Sequence, residues 1–412
     1  MDSYDSTNQK NQYASNNSLW FLFTVLYIIF DYTRVYQELH LGFLRPLLII
    51  TFILVYFIFS SGEYHRAKSK QTTCIWLFIL LLSCYIPFAT NNHHAYIATK
   101  TQLLYMPFIL SVILTVNTID RLKKFILILI CIMIYIAIYA VTQSGLGPGN
   151  YFLDENDLSL YINMWLPFCY FLFFAYKKKI AKLICLTGLL IGLLSIVISF
   201  SRGGFVGLIA MVVVAWLVSK KKIISIFMII ILAGLMFQFA GEKYWAEMET
   251  TTNTEDGTAK GRIESWKAGW RMFLDNPLGV GGNNYPVRFP EYQTDYFKRG
   301  MYGRVAHSLW FTLIPELGIL GILIYLTLLY YNTKDSFILK SIHFDDNDED
   351  LKFLNYTGRA FIASLTGFFA SATFIAVLYY AHYWYLTGII VAALHVSKNI
   401  REGNLTNRLD LP

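Results

Sequence analysis

Arg262, Arg271, Arg288, Arg299 and Arg304 share one polar stretch, Glu242–His307, with a glycine cluster at Gly279, Gly281 and Gly282 and with His307 at its end. Another arginine, Arg202, stands between Ser201 and Gly203-Gly204 where an earlier apolar run stops. Guanidinium forks match phosphate oxygens in pairs. Imidazole is the side chain whose pKa suits proton transfer near neutral pH. These residue types together predict recognition of a phosphorylated substrate and activation of a hydroxyl.

Spacing sorts the candidates. Arg202 closes an apolar run, where a cation is expensive to place and is functional by default. A side chain that snorkels to lipid headgroups is the alternative, and the low basic content of that side of the chain counts against it. The flanking glycines let backbone or a phosphate approach closely. In Gly261–Phe273 the residues Ile263, Trp266, Trp270 and Phe273 recur at helical steps, which predicts an amphipathic helix lying on the membrane surface. Arg262 falls in its first turn, the wrong end for a macrodipole partner, so it is expected to join helix N–H groups in holding an anion. Lys267 and Arg271 read as a solvated face. The glycines of Asn276–Tyr285 form neither a P-loop nor a dinucleotide fingerprint, and read as a turn.

His307 opens the next apolar run. Glu316 follows about half a turn out of phase in an ideal helix, so it is not expected to partner His307 unless Pro315 kinks the chain. His93 and His94 have no third ligand within sight and read as surface residues. Asp154-Glu155-Asn156-Asp157 can cap a helix, with a carboxylate metal site as the alternative. The acidic run Asp345, Asp346, Asp348, Glu349 and Asp350 lacks EF-hand spacing and reads as a solvated loop.

The remaining residues must position these. The chain has 412 residues, 56% hydrophobic and only 15% charged, far from the composition of soluble domains. Apolar runs near membrane-crossing length recur throughout, which predicts an all-α, polytopic membrane protein with about twelve spans. They are Leu19–Phe30, Leu44–Phe59, Cys74–Ala89, Gln102–Val116, Phe125–Val141, Leu158–Tyr176, Ile180–Phe200, Gly204–Val218, Ile223–Ala240, Ser308–Tyr331, Phe361–Tyr379 and Tyr383–Val396. The first is expected to be a retained helix rather than a cleaved signal. The runs do not alternate as barrel strands do. The chain divides into membrane helices over 1–241, a large loop over 242–305, and further helices with a tail over 306–412.

The net charge of +7 resides in short loops and sets orientation rather than marking nucleic acid as a partner. With the N-terminus inside, Arg66, Lys68 and Lys70, then Arg121, Lys123 and Lys124, then Lys177–Lys179, then Lys220–Lys222, Lys334, Lys340, Arg359, Lys398 and Arg401 all fall inside. That places both termini in the cytoplasm and the long loop outside. Cys74, Cys84, Cys131, Cys169 and Cys185 lie in or beside apolar runs without metal-ligand spacing, so no disulfide and no cysteine-bound metal is expected.

Several segments, in order, resemble the O-antigen ligase family of polytopic bacterial glycosyltransferases, which includes polysaccharide polymerases and protein O-oligosaccharyltransferases. They are Phe152-Leu153-Asp154-Glu155-Asn156-Asp157, Ser201-Arg202-Gly203-Gly204, Gly261-Arg262 with Trp266, Asn276-Pro277-Leu278-Gly279-Val280-Gly281, and Ala306-His307-Ser308 with Glu316-Leu317-Gly318. Glu155 departs from the family, which often has proline there. The resemblance implies a GT-C-like fold in the bacterial inner membrane with its active site on the periplasmic face. It implies a glycan donor on undecaprenyl diphosphate and an acceptor hydroxyl on lipid A–core, on a second glycan or on a protein. The reaction would be inverting and would need no metal or other cofactor. Arg202 and Arg262 would hold the diphosphate, His307 would orient or deprotonate the acceptor, and Arg288 and Arg304 would add substrate contacts. A lipid-linked sugar transporter is the competing class, but it needs ionisable groups at mid-membrane, and the apolar runs carry few.

Overall fold

The computed structural model describes residues 2–224, 226, 230, 234 and 257–409, less Ser144, Asn150, Leu153, Lys298 and Asp346. Most of the expected ninth run, Ile223–Ala240, the loop segment that follows it, and Leu153 of the Phe152–Asp157 motif lie outside the described residues. Among those described the chain is all-helical, without strands. The helices, numbered over the described residues, are α1 (Asp2–Thr33), α2 (Val35–Glu38), α3 (Pro46–Ser61), α4 (Lys70–Tyr85), α5 (Asn92–Thr115), α6 (Ile119–Thr142), α7 (Glu155–Ala175), α8 (Lys179–Ile198), α9 (Arg202–Val218), α10 (Gly257–Asp275), α11 (Tyr285–Tyr292), α12 (Trp310–Lys340), α13 (Glu349–Ala372) and α14 (Ala381–Leu409).

Among the described residues six segments are long and apolar enough to cross a membrane: Gly42–Ser61, Asn92–Thr115, Ile119–Thr142, Glu155–Ala175, Lys179–Ile198 and Trp310–Lys340. Two shorter apolar helices, α4 and α9, accompany them. Burial ranks their positions. The α7 window is 83% buried, whereas that of Gly42–Ser61 is 28% buried. Thus α7 is central and α3 lies at the rim with its apolar side chains outward.

Helices α7, α9 and α13 form the centre, and small residues bring them together. A Cβ on Gly207 would collide with Ser371 Oγ, and one on Gly367 would sit 2.9 Å from the Asn163 carbonyl. Asn163 Nδ2 donates to the Gly204 carbonyl at 2.7 Å and to Ser371 Oγ at 3.2 Å. Without a hydrophobic drive between helices in lipid, close packing and such bonds hold a bundle together. The four-residue spacing of Ala363, Gly367 and Ser371 is thus a packing face.

Polar residues that anchor inside the bundle shift one boundary. The apolar run Phe361–Tyr379 gives way to α13 at Glu349–Ala372. Its early start buries Asn355 and Arg359, which satisfy each other: Arg359 Nε donates to Asn355 Oδ1 at 2.8 Å, and Arg359 Nη1 donates to the Val218 carbonyl. At the other end the chain leaves the helix at Thr373, so Phe374–Tyr380 is an irregular segment, not helix. The surface reading of His94 also changes. Its Nδ1 lies 3.2 Å from the Asn283 carbonyl, and Asn91 N donates to Asn284 Oδ1 at 2.7 Å, tying α5 to the glycine-rich turn.

The charged groups sort to two ends of the bundle. At one end Lys123 Nζ pairs with Asp350 at 2.7 Å and Lys177 with Glu349 at 3.8 Å. The acidic loop therefore neutralises basic loops, and Asp348 caps α13. The opposite ends of α7, α9 and α13 carry Asp154, Arg202 and Phe374. At 21 residues, α7 separates the two ends by roughly 30 Å.

Candidate active site

Arg202 is the first residue of α9, behind a turn the sequence makes tight. Phe200 takes φ 52°, a left-handed conformation uncommon away from glycine. Ser201 caps α9, accepting from Gly204 N at 2.9 Å, while its hydroxyl donates to Asn156 Oδ1 at 2.8 Å. Asn156 is fixed in turn by Asp154 Oδ1, which accepts from its backbone N–H at 2.7 Å and its side-chain amide at 2.6 Å. Gly203 and Gly204 are needed for closeness. A Cβ on Gly204 would collide with Ser159, and one on Gly203 would press 3.3 Å from Phe374 Cβ. Arg202 therefore emerges at the positive end of a helix, where an anion is favoured.

Arg262 comes from the first turns of α10. The apolar stripe Ile263, Trp266, Trp270 and Phe273 was expected to lie on the membrane surface. Within the protein the helix buries Gly261, Ser265, Ala268, Gly269 and Met272, and leaves Trp270 exposed. The buried face is one of small residues because α10 packs closely on its neighbours: the Tyr285 ring edge would lie 3.1 Å from a Cβ on Gly269, and Tyr285 OH donates to the Ser265 carbonyl at 2.6 Å. Lys267 and Arg271 are exposed, as a solvated face.

A pocket of about 210 Å³ joins the two helices. Arg202 and Gly203 line it from α9, Arg262 and Trp266 from α10, and Phe374 from the irregular segment after α13. Two cations far apart in sequence thus face one cavity walled by aromatic rings. Phe374 was invisible in the sequence, because it lies inside an apolar run that reads as helix. The unusual aromatic density of Tyr379-Tyr380-Ala381-His382-Tyr383-Trp384-Tyr385 is the one local signal that the run ends early.

His307 does not itself line this pocket; it follows Ala306, which the pocket's Trp266 engages, and it feels the charge of Arg262. Its φ of 47° is left-handed, and its neighbours hold it there, as a strained residue requires. Trp266 stacks on Phe311 at 5.2 Å and 4°, and its Nε1 donates to the Ala306 carbonyl at 3.0 Å. Leu309 N donates to the Ala372 carbonyl at 2.9 Å, and Trp310 Nε1 to Thr373 Oγ1 at 3.2 Å. Burial lowers the His307 pKa below its ordinary value, and the nearby cations Arg262 and Arg304 lower it further, against an opposing pull from Asp154. The imidazole is therefore neutral at neutral pH and able to accept a proton.

Residues 187–326 match the family model described as O-antigen ligase. The chain carries an O-antigen ligase domain. That domain contains Arg202, Arg262, the glycine-rich turn and His307, while from outside the matched segment Phe374 lines the pocket and Asn156 holds Ser201 beside it. Enzymes with an O-antigen ligase domain transfer glycosyl groups. No curated protein matches the chain.

The other two candidate arginines of the domain take different places. Arg304 Nε donates to Ser265 Oγ at 2.7 Å, and its guanidinium lies 4.7 Å from the Phe297 ring centre. It passes over Gly261, where a Cβ would come within 2.9 Å of it. That puts it on α10 beside Arg262. Arg288 is engaged by Glu291 on its own helix at 2.7 Å and by Asn276 Oδ1, just after α10, at 3.1 Å, and does not line the pocket.

Glu316 belongs to another network. It is buried and accepts from Asn283 N at 2.8 Å, from Tyr285 N at 2.9 Å and from Tyr379 OH at 2.6 Å. Gly318, at φ 60° and ψ −159°, breaks the helix within α12 so that the chain at Pro277–Leu278 can press against it. The glycine-rich turn is thus a structural clamp that fixes α10 and α11 against α12.

Proposed function

We propose that the protein transfers a glycan from undecaprenyl diphosphate to an acceptor hydroxyl, with lipid A–core as the acceptor. The observation that carries this reading is the pocket shared by Arg202 and Arg262 within a segment that matches the O-antigen ligase model, with His307 in the same segment and near Arg262. The two guanidinium groups would hold the diphosphate and stabilise charge on it as the glycosidic bond breaks, the kind of electrostatic support that dominates such rates. His307 would take the acceptor proton as the hydroxyl attacks the anomeric carbon from the opposite face, giving inversion without a metal. Arg304 would supply a further positive charge near the donor. Arg288 would reach substrate only by exchanging Glu291 for it.

The same reading places the chain in the inner membrane with about twelve spans, the segments 1–241 and 306–412 holding the loop 242–305 over the periplasmic face. The lysines and arginines of the short loops at the end opposite Arg202 support that orientation. Nucleotide sugars are not expected on the outer face, which favours a lipid-linked donor. The test is transfer in vitro by purified protein, with a defined undecaprenyl-diphosphate glycan and candidate acceptors. Transfer that survives removal of both Arg202 and Arg262 side chains, or movement of the lipid-linked glycan across liposomes without transfer, overturns the reading.

A further inference from the structure

A second cavity opens at the end of the bundle away from Arg202. It measures about 580 Å³ and lies between the start of α4, the later part of α12 and the later part of α14. Lys68 and Lys70, Lys334, and Lys398 and Arg401 reach it from these three elements. Asp335 is the one carboxylate on its wall; it accepts a hydrogen bond from Gln71 Nε2 and offsets part of the charge of Lys398 and Lys334, leaving one carboxylate against five cations. Among the described residues none of the five cations forms an ion pair. The cavity also takes in the capped N-terminus of α4, where Ser69 accepts from Thr72 N, so the helix adds positive potential.

Setting orientation does not require this arrangement. Charges that serve only topology can point anywhere into solvent on their side. Here cations from three separate elements converge on one concavity, where like charges repel unless an anion lies between them. Ser69, Gln71, Thr73, His395 and Ser397 add polar groups near the cations, while Ile338, Val391 and Leu394, with the Tyr331 ring, give an apolar strip along α12 and α14. A ligand that suits both surfaces carries phosphate at one end and hydrocarbon at the other.

We propose that this cavity binds the phosphate headgroup of an anionic lipid, its acyl chains lying along α12 and α14. Basic pockets between helix ends are a recognised way to hold such headgroups. A free phosphate satisfies the cations but leaves the apolar wall wet. The site is separate from the glycan-transfer pocket and does not depend on that function.

The test uses full-length protein, stripped of lipid in detergent and then exposed to phosphatidylglycerol or phosphatidylcholine, with retained lipid counted by native mass spectrometry. Phosphatidylglycerol is expected to be retained over phosphatidylcholine, and the double variant Lys398→Gln/Arg401→Gln to lose on the order of tenfold in that retention. The control double variant Lys178→Gln/Lys179→Gln removes the same charge from the same end and is expected to retain lipid as the parent does. Equal retention of the two lipids, or equal loss in both double variants, overturns the site. Glycerol phosphate competing as well as a short-chain phosphatidylglycerol overturns the lipid assignment. Lysine-to-arginine replacement at Lys398 keeps the charge and is expected to preserve retention, which separates a charge effect from misfolding.

Discussion

Burial and the two arginines act on His307 in the same direction, each disfavouring the imidazolium. The neutral base therefore persists to lower pH than in free histidine. If it accepts the acceptor proton, kcat/KM rises with pH along an acid limb centred below 6.5, the ordinary histidine value. Arg304→Ala removes one repelling charge and is expected to move that limb upward, toward 6.5. A pH–rate profile of the two proteins checks this, and a limb that stays in place separates Arg304 from His307. Replacing His307 with alanine should lower transfer by roughly 10²–10⁴-fold, the usual worth of a general base. Arg202→Ala and Arg262→Ala should each cost roughly 10²–10³-fold, as for loss of one preorganised charge-stabilising donor. Arg288→Ala, whose guanidinium is committed to Glu291 and Asn276, should cost less than either. Initial-rate assays with lipid-linked donor rank all four.

Elements fix what those residues can do, and the glycine-rich turn is the clearest case. Glu316→Gln preserves size but replaces one acceptor oxygen with a donor, facing the N–H of Asn283 or Tyr285 or the Tyr379 hydroxyl. Leaving one buried donor unpaired costs about 1–3 kcal/mol. The variant should unfold at lower temperature in detergent, and its transfer should fall because α10, which carries Arg262, loses its support. Unchanged thermal unfolding would remove Glu316 from this clamp. The sequence shows why Glu316 does not pair with His307, since helical phase is local. It does not show the true partners, which lie 31 to 63 residues away. Arg202 and Arg262 were legible because a guanidinium beside an apolar run or in a helix's first turn is out of place on local grounds. The bounds of α13 were not, because hydropathy treats Asn355 and Arg359 as breaks while the fold pairs them internally. Phe374 disappeared for the converse reason: an apolar side chain lining a pocket looks the same, in sequence, as one inside a helix. The protein-facing side of α10 was not legible either, because small residues such as Gly261, Ser265 and Ala268 give no apolar signal yet bury a helix face when neighbours come close.

Across the whole molecule, the two pockets lie at opposite ends of one helical bundle, one carrying Arg202 and Arg262 and the other Lys398 and Arg401. The proposed orientation rests on charge: lysines and arginines concentrate in the short loops of the Lys398 end, which the positive-inside rule would put in the cytoplasm. That predicts opposite accessibility for two solvent-exposed positions, Lys267 on α10 and Lys178 just before α8. Single cysteines introduced as Lys267→Cys and Lys178→Cys, after replacement of the five native cysteines, can be labelled in intact cells with a membrane-impermeant maleimide. The Lys267→Cys protein should react in cells whose outer barrier has been opened. The Lys178→Cys protein should react only after the inner membrane is broken. Labelling in the reverse order would turn the Arg202 pocket toward the cytoplasm, where nucleotide sugars are available, and would remove the argument for a lipid-linked donor even if transfer itself were observed. Equal labelling of both from outside would instead show that the segment between them does not separate two compartments, and the proposed count of spans would fall with it.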